Sequence, residues 1–247
     1  MLTVLTIMRT NIVEPTVAQS LRLLRLLQLV SPSLPVGAYS YSEGLETLTQ
    51  IGSIHDRNTL QHWLEQELRV GAAQMEGAIV VRAYRALQGE DAVVGLRYWN
   101  QWYEAARETE ELRNQSLQMG RSMMKVLQGL EASGDFDRLR LEPMLLEERW
   151  HFPIAFAIAA VAWEIALPDV LLGYFQSWSS NLIAAGIKLI PLGQTDGQRI
   201  SWSMQEPIAA AVVAVMALDD DDLGSCSWGV ALASMQHETL YSRLFRS

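Results

Sequence analysis

The chain has 247 residues, 49% hydrophobic and 19% charged, a balance that excludes general disorder and suffices for one sizeable core. A net charge of −9 and an isoelectric point near 5.0 leave no basic footprint, which excludes duplex nucleic acid as the expected ligand. The single cysteine, Cys226, can close no internal disulfide and cannot by itself supply a thiolate metal cluster, so a reducing compartment is expected.

Met1–Met8 is apolar but has no basic residue ahead of it and no small-residue cleavage site. It does not read as a signal peptide, and the cytoplasm is the expected location. Residues 1–20 show no sustained period and are interrupted by Pro15, so they read as a flexible tail. From Leu21 to Val30 a short, very apolar helix carries Arg22 and Arg25 on one side. Pro32 and Pro35 lack an N–H and push the residues before them into extended geometry, so this helix stops near Ser31. Gly37 allows a tight turn, and Ser40 or Ser42 can cap a second helix, Tyr39–Gln50, that Gly52 closes. The corner between the two helices would display Tyr39 and Tyr41, and paired aromatics on a stiff loop suit a contact surface.

Asp56 or Asn58 can cap the next helix, where Leu60, Trp63, Leu64 and Leu68 recur at helical spacing until Gly71 breaks it. Met75, Ile79, Ala83 and Leu87 form another apolar stripe ending at Gly89, and Asp91 can start a segment carrying Tyr98, Trp99, Trp102 and Tyr103. Leu112, Ser116, Met119, Met123, Val126 and Leu130 alternate steps of four and three, the seam of a long helix lying along another. A polar connection is expected at 134–142. Pro153, Pro168 and Pro207 each head an apolar, Ala-rich helix, where a missing N–H costs nothing. Val170–Ile187 is uncharged and long enough to consider as a membrane span, but Gln176, Ser177, Ser179, Ser180 and Asn181 make a buried helix with a polar stripe the better reading. The fold class is all-α, a single-domain compact bundle of roughly ten helices, with one extended piece at Leu189–Leu192.

Chemistry-bearing motifs are sparse. Asp219–Asp222 raises the alternative of a helical Mg²⁺-dependent prenyl-transfer enzyme, yet such enzymes face two acidic motifs across the site, and no second one occurs. A solvated loop is expected instead. None of His55, His62, His151 and His237 has a partner at compact metal-site spacing. Cys226 has no activating neighbour in sequence, and neither a phosphate loop nor a G-x-S-x-G motif is present. Lys188, one of only two lysines, sits between Ile187 and Leu189, ahead of a glycine-punctuated loop. The end segment Tyr241–Arg246 mixes aromatic, apolar and arginine residues, the types enriched at interface hot spots. No catalytic residue, cofactor or metal ligand is expected.

Three segments carry a family resemblance: LLQLVSPSLPVGAYSYSEGLE at 26–46, KLIPLGQTDGQ at 188–198 and HETLYSRLFRS at 237–247. Together they resemble the urease accessory protein UreF family, although Ala38 stands where that family often has Gly or Ser. The resemblance implies an all-α homodimer without catalysis of its own. It would bind UreD (UreH in some organisms), recruit the GTPase UreG and help deliver nickel to apo-urease. The likeness assigns Tyr39 and its neighbours Ser40 and Tyr41, with Arg243, to the surface meeting these partners, and Lys188, Gln194 and Gln198 to the region influencing the GTPase. Asp196, Tyr241 and Phe245 lie in the same segments and join them as candidate partner-binding residues. The domain expectation is a tail at 1–20, a helical UreF-like domain at 21–235, and a partner-binding tail at 236–247 that orders against UreD.

Overall fold

The structure, a computed structural model, describes residues 16–132, 149–225 and 227–246. The expectations for residues 1–15, for 134–142 and for Cys226 lie outside these. The described residues form α1 (Val17–Leu29), α2 (Leu45–Gln50), α3 (Arg57–Val70), α4 (Ala72–Ala86), α5 (Ala92–Ala106), α6 (Glu110–Ala132), α7 (Phe152–Ala162), α8 (Leu167–Leu189), α9 (Gln194–Ser203), α10 (Gln205–Ala217) and α11 (Trp228–His237). Two 3-10 turns, Ala38–Ser40 and Asp220–Asp222, complete them, and the described residues contain no strand. The all-α expectation holds, and Leu189–Leu192 is only the extended exit of α8 at Ile190.

Helix α4 is the hub, packed against α3, α5, α7, α8 and α10. Its sequence explains this: Ala72, Ala73, Gly77, Ala78 and Ala83 keep the surface thin, so neighbouring axes come close, and Gly77 receives the Phe175 ring of α8 directly. Helix α7, with Ile154–Ala160 fully buried, fills the space between α4 and α6. The first part of the expected α6 seam is observed, with Leu112, Ser116, Met119 and Met123 buried, but Val126 and Leu130 are only half-buried and Leu127 takes the inward position. Gly120 lies on the same face against the Trp150 carbonyl.

That contact makes a paired test. A Cβ at Gly120 would strike backbone, which cannot swing aside, so Gly120→Ala should lose about 1–3 kcal/mol. Gly129 on the same helix meets nothing within 4 Å, and Gly129→Ala should instead gain about 0.5–1 kcal/mol. Urea midpoints moving in opposite directions at constant slope would bear this out.

Two boundaries differ from expectation. Helix α1 begins at Val17, four residues before Leu21, because Thr16 Oγ1 accepts the Gln19 N–H (3.3 Å) while Gln19 Oε1 accepts the Thr16 N–H (2.9 Å). The expected helix Tyr39–Gln50 is broken. Glu43 (φ 52°) and Gly44 (φ 81°) are left-handed, so the 3-10 turn and α2 are separate. Asp56 caps α3 as expected, its Oδ1 taking the Thr59 N–H at 2.8 Å. Among the described residues, Gln194–Ala217 is the one stretch long and apolar enough to cross a membrane. It is interrupted at Met204 and packs one side on α3, α4 and α8, with a third of its most apolar window buried.

Candidate functional site

The three sequence segments do not share one role, but two of them meet. Glu46, in the first turn of α2, is buried, and its carboxylate accepts the backbone N–H groups of Leu244 (2.7 Å, Oε1) and Phe245 (3.0 Å, Oε2). The Arg246 N–H donates to the Ser40 carbonyl at 2.8 Å. The chain end therefore lies along the loop that follows α1. Beneath it, His237 at the end of α11 is fully buried, with Nε2 at 3.2 Å from Glu46 Oε2 and Nδ1 at 3.0 Å from Glu111 Oε1. Arg243 Nη1 approaches the same Glu111 oxygen at 3.6 Å. Two carboxylates, an imidazole and a guanidinium thus share one cluster, in which each ring nitrogen faces an acceptor.

On the other side of the loop lies a cavity of about 270 Å³. Leu29, Val30, Leu34, Val36, Phe152 and Phe156 give it apolar walls. The polar stripe of α8, foreseen from Gln176, Ser177, Ser180 and Asn181, faces it. Three charged residues also line it: Glu43, Glu76 and Arg107. Glu76, the one charged residue between Ala72 and Val81 of α4, accepts the hydroxyls of Tyr103 and Tyr174 at 2.7 Å each, and Arg107 Nη2 stands 3.4 Å from it. Arg107 Nε and Nη1 are buried without an acceptor.

Glu43 accepts from Gln115 Nε2 (3.2 Å) and Trp178 Nε1 (3.0 Å), bonds that hold its left-handed backbone. Burial first, then the Glu76 charge, raise its carboxyl from 4.5 to about 7, against the opposing pull of Arg107. The reverse happens to His151, which is fully buried beside Tyr103 with neither ring nitrogen partnered. Burial first, and then the charges of Arg107, Arg149 and Arg113, lower it from 6.5 to about 4, so it is neutral near pH 7.

The candidate residues fall into separate groups. Tyr39 (72% exposed), Tyr241 (107% exposed), Arg243 and Lys188 reach the surface, and Ser40 is half-buried. Tyr41 (5%) and Phe245 (6%) do not: both pack into the core, which corrects the expectation that the corner displays Tyr41 and that Phe245 is free for a partner. The backbone decides it: Asn181 Nδ2 of α8 donates to the Tyr41 carbonyl (3.4 Å), and the Leu244 and Phe245 N–H groups end on buried Glu46, which turns both rings inward. Lys188 Nζ lies 5.4 Å from the Phe245 ring centroid, which ties the second segment to the third. Gln194, Asp196 and Gln198 sit apart in the first turns of α9, with Gln194 and Gln198 exposed. Asp196 is already engaged, accepting the Gly193 N–H (3.4 Å) and pairing with Arg199 (3.3 Å).

Sequence reasoning passed over Glu43, Glu46, Glu76, Arg107, Glu111 and the burial of His151 and His237. A carboxylate among the small and apolar residues at the start of α4, as at Glu76, was the available signal. Asp220 is also not simply solvated, since it pairs with Arg82 at 2.9 Å, and Arg82 Nη2 donates to the Leu218 carbonyl. The acidic turn thereby closes α10. Among the described residues no group of three or more His, Cys, Asp or Glu side chains is arranged to hold a metal ion.

Fold and site together describe an all-helical protein whose end segments are organised around a buried ionic cluster. The UreF family model matches residues 54–205. The chain is 52% identical over 231 residues to the urease accessory protein UreF of Trichormus variabilis, covering 91% of this chain and 95% of that one. It is 49% identical over 233 residues to that of Synechocystis sp., covering 91% and 97%. Its likeness to that of Alkalilimnicola ehrlichii is 40% over 223 residues, covering 90% and 95%. The chain belongs to the UreF family of urease accessory proteins.

Proposed function

We propose that the chain is a non-enzymatic helical scaffold of the cytoplasm, homodimeric, that binds UreD (UreH), recruits and regulates the GTPase UreG, and is required for nickel insertion into apo-urease. Support comes first from family membership, since relatives covered almost end to end are urease accessory proteins. The carrying observation in the molecule is the convergence of the segment 31–46 with residues 244–246, which leaves Tyr39, Tyr241 and Arg243 exposed on segments that buried anchors hold together. Exposed aromatic and arginine side chains on an anchored base are what a protein interface uses. Lys188 at the end of α8, with Gln194 and Gln198 on α9, forms the proposed GTPase-influencing region.

The test is size-exclusion chromatography of this chain mixed with UreD and UreG. A complex containing all three proteins is expected at micromolar concentration, and it should be required for urease activation in nickel-fed cells. Separate elution of the three, with urease activated normally when this chain is deleted, would refute the reading.

A further inference from the structure

The cavity beside the loop that follows α1 has no part in the scaffold reading, and its lining differs from that of an ordinary core void. Five aromatic residues line it: Tyr39, Phe152, Phe156, Tyr174 and Trp178. The rings of Phe152, Phe156 and Tyr174 form one cluster, with centroids 5.0, 5.7 and 5.8 Å apart. Pro32, Tyr39 and Ala184, all exposed, open the cavity to the surface. Two carboxylates, Glu43 and Glu76, face one guanidinium, Arg107, so the cavity holds one more negative group than positive. Glu76 is fully engaged by Tyr103, Tyr174 and Arg107. Glu43 is half-buried, and each of its oxygens takes one donor, Gln115 Nε2 or Trp178 Nε1, which leaves lone pairs open to another.

We propose that this cavity is a binding site for a small organic cation, an ammonium group on an apolar body, with the charge held against Glu43 and the body among the aromatic and aliphatic walls. Aromatic faces attract a cation through their quadrupole, and the carboxylate beside them adds a direct charge. An anion does not suit the site, because Arg107 Nε and Nη1, although without acceptors, have almost no accessible surface. A cavity of about 150 Å³ holds benzene, so 270 Å³ accommodates a guest of roughly ten non-hydrogen atoms. In the chain alone a proton supplies the missing positive charge. Burial first, with Glu76 of α4 and Glu67 of α3 outweighing Arg107 beyond α5 and the Trp178 bond from α8, keeps the Glu43 carboxyl protonated up to about 7. A bound cation takes the place of that proton.

Calorimetric titration of the full chain with 2-phenylethylammonium and with benzyltrimethylammonium tests this. Both should bind with a Kd below about 1 mM, and the neutral isostere 2-phenylethanol at least about tenfold more weakly. Because the cation displaces the Glu43 proton, affinity for both should be about tenfold lower at pH 6 than at pH 8. At pH 6 the heat should also vary with the ionisation enthalpy of the buffer, the mark of a released proton. Glu43→Gln keeps the side-chain shape and removes the charge, so it should weaken binding about tenfold or more at pH 8 and flatten the pH profile. Ser177→Phe, on the half-buried polar stripe of α8, fills the cavity and should abolish binding in a folded chain.

No binding of either cation would overturn the proposal, and so would binding that persists unaltered in both variants. Equal affinity for 2-phenylethanol and 2-phenylethylammonium would reduce the site to an apolar cavity and overturn the role of Glu43. Tighter binding of the anion 3-phenylpropionate than of the two cations would overturn it in favour of Arg107. The measurements use this chain alone, so their outcome is independent of whether it binds UreD and UreG.

Discussion

Replacing Glu76 by Leu should lower stability by about 3–5 kcal/mol, the largest single loss expected in this protein, because it strips a buried guanidinium of its counter-charge. Arg107 is 2% exposed, and two of its nitrogens already lack acceptors. The same substitution orphans the hydroxyls of Tyr103 and Tyr174, each of which donates to a Glu76 oxygen. For a chain of this length each kcal/mol corresponds to about 2–4 °C, so a fall in melting temperature of about 6–20 °C is expected. Adding Arg107→Met to Glu76→Leu should recover part of the loss, since the uncompensated charge disappears, but not all of it, since the two hydroxyls remain unpaired. A double variant no more stable than the single one would show that the ion pair is not the source.

The second large effect is a pH dependence built from two opposed groups. Glu43 keeps its proton up to about 7 in the folded chain against 4.5 when unfolded. Its contribution is therefore complete at low pH and is lost as pH rises from 4.5 to 7. His151 behaves in the opposite sense. Folded, it stays neutral down to about 4 against 6.5 unfolded, so its contribution is present above 6.5 and lost as pH falls towards 4. Each shift corresponds to about 3 kcal/mol at most, and between 4.5 and 6.5 the two slopes cancel.

Removing either group exposes the other. Measured against the parent by urea unfolding, Glu43→Gln should gain stability steadily from pH 4.5 to 7, by about 1.4 kcal/mol per pH unit. His151→Phe should gain it in the other direction, from pH 6.5 down to 4, with a ring of similar size filling the site. Stability differences that stay flat across these windows would mean that neither group titrates as its surroundings dictate. A left-handed, cavity-facing carboxylate that the fold would be more stable without is also a mark of function over stability.

What sequence alone determined here is local. The helix stop before Pro32, the cap at Asp56, the break at Gly71 and the α6 seam from Leu112 to Met123 each depend on contacts within a turn or two, and each is found. Family membership was legible as well, because three short segments in order are specific even when the helices between them are not. The break at Glu43–Gly44 was not legible: Ser42, Leu45 and Leu48 suit a continuous helix, and only the cavity wall, through Gln115 and Trp178, holds Glu43 in its strained conformation.

Tertiary structure alone decided which polar residues matter. Glu46 and Phe245 are 199 residues apart, Glu76 and Tyr174 98, and Glu46 and His237 191. A carboxylate's role is fixed by the donors brought to it and by the water taken away, and neither is written in its neighbours along the chain. That is why Tyr41 and Phe245, chosen from the sequence as surface residues, are core, while Glu46, unremarked in the sequence, anchors the chain end.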